Sequence, residues 1–124
     1  MRKSIFVSIT NAMAGRDPAI PKGAPPLNCA RGYWFLDDAK ARQCELLIAV
    51  DAGTIAGVWE IDRKAGWQPM RTNAIPNLGH TTADVRRKYC EVLDTVPPES
   101  RLVGRPVSAS GCVKRMFGPV QYSF

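Results

Sequence analysis

The stretch ELLIAVDAGTIAGVWEI, residues 45–61, carries the strongest structural signal in the chain. Two runs rich in strand-forming residues, 45–50 and 54–61, flank Asp51-Ala52-Gly53. Glycine readily adopts the left-handed backbone that a short hairpin loop requires. The pattern therefore predicts a β-hairpin, and its first strand is apolar on both faces, as is typical of a central strand covered by a helix or curled into a barrel.

Three further segments have the pattern of strands. Residues 4–10 alternate apolar side chains and predict a first strand, which we expect to join the hairpin in one curled sheet. Residues 87–93 alternate poorly and fit a strand or a helix, and a strand is favoured. Residues 120–124 predict a final strand.

One helix is predicted immediately before the hairpin. Asp37 is a good N-cap, and residues 38–44 are mostly strong helix formers, so a helix of about two turns is expected over 37–44. The segments 11–28 and 70–80 are expected to be long loops, and the first is rich in proline and glycine. Residues 81–84 resemble a cap for a helical turn through Arg87.

Length and composition limit the fold class. A chain of 124 residues with 45% hydrophobic and 23% charged residues predicts one folded domain over residues 1–124. Ten prolines and ten glycines argue against a helical bundle. We therefore expect an α+β domain, with a small curled sheet or pseudobarrel of five to six strands and one or two short helices.

The charge balance favours a polyanionic partner. Seventeen basic and 11 acidic residues give a net charge of +6 and a pI near 9.5. Residues 37–62 contain six acids and two bases, whereas residues 63–88 contain six bases and one acid, and residues 101–124 contain four bases and no acid. A positive face built from the second half is one interpretation, and an excess of bases that serves only solubility is the other.

Neither a metal site nor a membrane anchor is expected. The four cysteines are widely spaced without a C-x-x-C pair, which indicates free thiols in a cytoplasmic protein, although two disulfides in a secreted protein remain the alternative. The apolar run near the start is too short for a signal sequence, and no segment is long enough to span a membrane. The glycines match no phosphate-binding loop, so no cofactor is expected.

Aromatic and basic residues supply the candidate binding site. Flat bases stack on aromatic rings, while Arg and Lys neutralise phosphates. Each aromatic also has an interpretation as a core residue, which is the stronger one for Trp59, and the segment 31–34 is either a core plug or a stacking platform. The predicted nucleic-acid-binding residues are Arg31, Tyr33, Trp34, Trp67, Arg86, Arg87, Lys88, Lys114 and Arg115.

The order of motifs resembles a known superfamily. A first strand, an A-R-G-Y-W turn before a helix, the pattern A-V-x-x-G-x-I-x-G-V-W-x-I, and L-V-G-R-P-V before a last strand are similar to small prokaryotic and phage proteins of the PUA-like superfamily, which includes ASCH and EVE domains. The resemblance implies a pseudobarrel that binds RNA or a modified or extruded base in a cleft between barrel and helix. It does not separate RNA from DNA as the ligand.

Two other functions remain open from the sequence. A small ribonuclease or nucleotide-modifying enzyme is one, with His80, the only histidine, as general base and Arg87 or Lys88 stabilising charge. A phage or mobile-element factor whose basic face binds an acidic protein is the other. Stacking aromatics without a converging acid–base pair favour a non-enzymatic binder, and no catalytic residue is assigned.

Overall fold

The predicted hairpin is present in the computed structural model, which describes residues 1–17, 20, 22–32, 34–69 and 87–124. Strands β3 (Leu46–Asp51) and β4 (Thr54–Glu60) pair antiparallel, with a register shift between Ala49 and Val50. At the turn, Ala52 has φ 49° and Gly53 has φ 84°. A two-residue hairpin loop of this kind needs positive φ at both central positions, so the backbone confirms the turn that the glycine predicted.

The hairpin forms half of a four-stranded sheet. Strand β1 (Ser4–Ser8) pairs parallel to β3 and antiparallel to β7 (Val120–Tyr122), which gives the order β4-β3-β1-β7. The prediction that residues 4–10, 45–50 and 54–61 share one sheet is confirmed, as is the final strand. The first strand is shorter than predicted because helix α1 (Thr10–Met13) begins directly after it.

Each face of this sheet packs against its own hydrophobic cluster. Ile5, Val7 and Leu47 belong to the first cluster, which is covered by α1, by α2 (Pro26–Ala30) and by a second sheet. Phe6 and Ile48, on the opposite face, belong to the second cluster. The second cluster is covered by two 3₁₀ helices, Pro98–Leu102 and Val107–Ser110, and by Val113. The apolar pattern on both faces of β3 is therefore explained by burial from both sides.

The second sheet has three very short strands. Strand β6 (Arg87–Tyr89) lies between β2 (Trp34–Phe35) and β5 (Gln68–Pro69), and both pairings are antiparallel. The strand predicted over residues 87–93 is confirmed at its beginning, and Val92 continues as an isolated bridge to Ile61.

The helix predicted over residues 37–44 is shorter than expected. Helix α3 spans Asp38–Ala41, and the side chain of its N-cap, Asp37, accepts a hydrogen bond of 3.2 Å from the backbone N–H of Lys40. The cap is therefore confirmed. The second turn is missing because the last amides bond three residues back, with Cys44 donating to Ala41, and the chain then enters β3.

The architecture is α+β, as predicted, but the element counts differ. Over the described ranges there are seven strands in two sheets and three short α-helices, and these sheets do not close into a barrel. The loop predicted over residues 11–28 contains helix at both ends, in α1 and α2. The predicted loop at 70–80 and cap at 81–84 lie outside the described residues. Among the helices described, none is long and apolar enough to cross a bilayer.

Candidate nucleic-acid interface

We call the four-stranded sheet the large sheet and the three-stranded sheet the small sheet. The small sheet places an aromatic strand, β2, beside a basic strand, β6. In the β2–β6 ladder Trp34 lies opposite Lys88, and Phe35 lies opposite Arg87. These pairs join residues more than fifty positions apart in the chain, so neither local segment forms the arrangement alone. The predicted residues Trp34, Arg87 and Lys88 are thus brought together.

Phe35 and Arg87 form the exposed part of this ladder. The Phe35 side chain is 52% exposed, and the guanidinium carbon of Arg87 lies 4.3 Å from the centroid of its ring. This distance is well within the range of a cation–π contact. Phe35 was not among the predicted site residues. Its signal was the alternation of a strand, because a half-buried Trp34 directs the next side chain to the opposite side.

Trp34 is anchored more firmly than a free stacking platform. Its indole Nε1 donates a 2.7 Å hydrogen bond to the carbonyl of Ala30, at the end of α2. The ring is half-buried and packs against the first cluster. Trp34 therefore acts largely as a core residue that fixes β2, with one part of its ring still accessible.

Arg31 ties β2 to the segment after β6. Its side chain is only 11% exposed, with Nε donating to the Cys90 carbonyl at 3.2 Å and an Nη to Glu91 Oε1 at 2.7 Å. The backbone amide of Cys90 also donates to the Arg31 carbonyl. The charge of Arg31 is thus used inside the fold, which gives this residue a structural role.

Lys88 has an acidic neighbour that partly cancels its charge. Its Nζ lies 2.8 Å from Oδ1 of Asp38, in the first turn of α3. The Lys88 side chain is 25% exposed and that of Asp38 is 60% exposed, so this is a surface ion pair of small energy. Arg87, by contrast, is exposed and lies over the ring of Phe35.

Two tryptophans flank the small sheet in different ways. Trp67 directly precedes β5 and packs against the first cluster, and its Nε1 is buried with no hydrogen-bond partner among the described residues. Because this N–H is buried, it does not face a ligand on the exposed side of the sheet, which agrees with the core interpretation of Trp67. Trp59 lies over Gly57 in β4 and packs on the same cluster, which agrees with the core interpretation of Trp59.

The other predicted basic segment lies on the opposite side of the large sheet. Lys114 and Arg115 stand between Val113 and Met116, which both pack on the second cluster, whereas β6 packs on the first through Tyr89. The two basic segments therefore do not form one continuous basic surface among the described residues. Arg115 instead lies over an exposed ring, with its guanidinium carbon 4.6 Å from the centroid of Phe117.

The predicted site residues Tyr33 and Arg86 lie outside the described residues, as does His80. The structure therefore leaves the histidine-based ribonuclease as a hypothesis from the sequence. Among the described residues no three His, Cys, Asp or Glu side chains converge to hold a metal ion.

The cysteines offer little nucleophilic chemistry near the small sheet. All four are free thiols, and Cys29, Cys44 and Cys90 are buried. Burial raises the pKa of Cys90 to about 12 and that of Cys44 to about 11, since a thiolate is poorly solvated in an apolar core. Neither thiol is ionised at neutral pH, so neither is an activated nucleophile.

Comparison with known proteins finds no relative: no family model matches the chain, and neither the curated proteins nor the solved structures contain a significant match.

Proposed function

We propose that this protein is a nucleic-acid-binding module of the PUA-like kind, which holds an unpaired or extruded base of RNA or DNA on the small sheet. The observation that carries the proposal is the exposed pair of Phe35 and Arg87 on adjacent strands. A flat ring and a guanidinium are the two groups that single-stranded nucleic acid requires, one for the base and one for the phosphate.

The energetics of this pair favour a base as the ligand. Stacking of one base on an aromatic side chain is worth about 1–3 kcal/mol, and it tolerates any base because every base has a flat face. The Arg87 guanidinium covers one face of the ring, so it moves aside when a base stacks on that face, and it then stays close enough to bind the phosphate. In this arrangement Phe35 supplies affinity for the base and Arg87 supplies affinity for the backbone.

Binding rather than catalysis fits the groups on this surface. The pair of Phe35 and Arg87 holds no general base, and the thiol of Cys90, which directly follows β6, is buried and protonated. The net charge of +6 supplies the long-range attraction that a polyanion needs. The proposal is therefore a non-enzymatic module.

The proposal is tested by fluorescence anisotropy with an end-labelled single-stranded hexanucleotide, prepared as RNA and as DNA. Phe35→Leu keeps an apolar side chain but removes the stacking face, so we expect binding at least about fivefold weaker, or about 1 kcal/mol. Phe124→Leu is the matched control, because Phe124 is also partly exposed and also lies beneath cations, Lys3 and Lys40, but stands beyond β7.

Equal affinity of the wild type and Phe35→Leu would refute the stacking surface. Absence of binding to either hexanucleotide at low salt would refute nucleic acid as the ligand. An equal loss in Phe124→Leu and Phe35→Leu would show a general effect of removing an exposed ring, and would refute a stacking role specific to Phe35.

A further inference from the structure

The second face of the large sheet is covered by a strongly basic segment. Residues 98–117, which we call the basic cover, include both 3₁₀ helices and reach the second cluster through Leu102, Val107, Val113 and Met116. Four of its residues are exposed cations: Arg101, Arg105, Lys114 and Arg115.

The basic cover contains a single acid, and that acid is already occupied. Glu99 receives both Nε and an Nη of Arg2 at 2.9 Å, so its two oxygens are held by one guanidinium. Arg101 lies close enough to contribute to the lowered pKa of Glu99. Within the described ranges no carboxylate lies at salt-bridge distance from any of the four exposed cations.

This differs from the cations on the first face. There Arg31 is paired with Glu91, and Lys88 is paired with Asp38. The basic cover has no such pairs for its four exposed cations, and no residue from 101 to 124 is acidic, so this charge is not offset within the segment.

A turn held in place on both sides presents an aromatic ring beside one of these cations, Arg115. Phe117 is 70% exposed, and Arg115 lies over its ring. The Phe117 amide donates to Oε1 of Gln121 at 3.1 Å. The next residue, Gly118, has φ 124°, a backbone that other residues rarely adopt, and Met116 is fixed in the second cluster.

We propose that the basic cover is a second nucleic-acid-binding surface, so that one chain binds two separate single-stranded segments, one on each side of the large sheet. This inference rests on the proposed function, and extends it from one segment to two. Phe117 receives a base, and the four exposed cations bind the phosphates around it.

Nucleic acid fits the basic cover better than an acidic protein does. The Phe117–Arg115 contact repeats, on the other side of the sheet, the ring-and-guanidinium pair of Phe35 and Arg87. An acidic peptide requires cations but has no general need for a flat exposed ring, whereas single-stranded nucleic acid uses both.

The test is the number of hexanucleotides bound per chain, measured by native mass spectrometry with an excess of the single-stranded hexanucleotide. We expect two for the wild type. One is expected after substitution of the four cover cations by glutamine (Arg101→Gln, Arg105→Gln, Lys114→Gln and Arg115→Gln), and one is also expected for Phe35→Leu with Arg87→Gln.

A matched control removes the same number of charges elsewhere. Four exposed basic residues that belong to neither surface are changed to glutamine, namely Arg16, Lys22, Arg63 and Lys64. This variant should still bind two hexanucleotides. Loss of one hexanucleotide in the control as well would show that net charge alone sets the number bound, and would overturn the second surface.

The outcomes separate the two proposals. One hexanucleotide per wild-type chain, lost with Phe35→Leu and Arg87→Gln but kept in the cover variant, would refute the second surface alone. If the wild-type chain binds one hexanucleotide, and the cover variant loses it while the variant with Phe35→Leu and Arg87→Gln keeps it, the site on the small sheet is refuted and the basic cover is supported. No binding by the wild type would overturn both.

An acidic peptide supplies the remaining arm. A glutamate peptide with the same charge as the hexanucleotide is added to the Phe35→Leu and Arg87→Gln variant, whose bound hexanucleotide lies on the basic cover. We expect it to compete at least about tenfold less well than unlabelled hexanucleotide, since it cannot stack on Phe117. Equal competition would assign the basic cover to an acidic protein partner and overturn the inference.

Discussion

The guanidinium of Arg87 lies over the ring of Phe35 at 4.3 Å from its centroid, although α3, the whole hairpin and β5 separate the two residues in the chain. The β2–β6 ladder brings them together, with Phe35 directly opposite Arg87. Because the contact is exposed, it contributes only about 0.5–1 kcal/mol to stability. Under the proposed function, its importance is in presenting the two groups to a ligand.

Arg31 should affect stability rather than binding. Arg31→Gln removes the contact with Glu91 and weakens that with the Cys90 carbonyl, so we expect a loss of about 1–2 kcal/mol in the free energy of unfolding, measured by urea denaturation. Arg87→Gln, at an exposed position, should change stability by less than about 0.5 kcal/mol. A stable Arg31→Gln variant that binds the hexanucleotide weakly would return Arg31 to the binding site.

Gly57 should be intolerant of alanine because of Trp59. A Cβ atom at position 57 would overlap Cη2 of the Trp59 ring, so the ring must move away from the first cluster. Overpacking of this kind costs about 1–3 kcal/mol, which chemical denaturation measures. In a Trp59→Leu background the same substitution should cost much less. An equal cost in both backgrounds would show that the ring is not the reason.

The pair of Glu60 and Glu99 should make the fold sensitive to acid. The pKa of Glu60 is lowered most by a hydrogen bond from Thr95 and next by a hydrogen bond from Arg2. A hydrogen bond from Arg2 is also the main cause of the lowered pKa of Glu99. A carboxyl with a lowered pKa stabilises the folded state when the pH is above its ordinary pKa of 4.5. This contribution is lost as the pH falls through the folded-state pKa.

Arg2→Gln should therefore be less stable than the wild type at neutral pH, and the difference should shrink below about pH 4.5 as both carboxyls protonate. Thermal unfolding between neutral pH and about pH 3 measures it. A difference that stays constant over this range would show that Arg2 acts through packing and not through charge.

Thiol labelling should distinguish the four cysteines. Cys112 is exposed, whereas Cys29, Cys44 and Cys90 are buried and burial raises their pKa. We expect one thiol per chain to react quickly with a soluble disulfide reagent, and three to react only on unfolding. Cys112→Ser should remove the fast phase. A fast phase that remains in this variant would contradict the burial of the other three.

The features predicted correctly from the sequence are those set by short-range patterns. The turn at Ala52 and Gly53, the cap at Asp37 and the strand before Tyr122 each depend on residues within a few positions. The predicted length of the helix after Asp37 was wrong because Cys44 is buried in the core, and local helix propensity does not predict such tertiary contacts.

The site required contacts that no local pattern contains. Arg31 lies next to aromatic residues in the sequence, which suggested a binding role, but its guanidinium forms an ion pair with Glu91, sixty positions later. Phe35 resembles a core aromatic until strand pairing places it outside, opposite Arg87. The two basic segments are similar in sequence, and only the packing of Val113 and Tyr89 on different clusters separates them.

The salt dependence of hexanucleotide binding tests the central claim most directly, because two substitutions on the small sheet should change it in opposite directions. Arg87→Gln removes a phosphate contact, which should lower affinity and reduce the slope of log affinity against log salt by about 0.7. Asp38→Asn releases Lys88, which should raise affinity several-fold and increase the slope by about the same amount. Asp94→Asn, an exposed acid outside the small sheet, should leave both unchanged. If instead Arg87→Gln and Asp38→Asn both bind as the wild type does, with the same slope, the small sheet is not the nucleic-acid-binding surface.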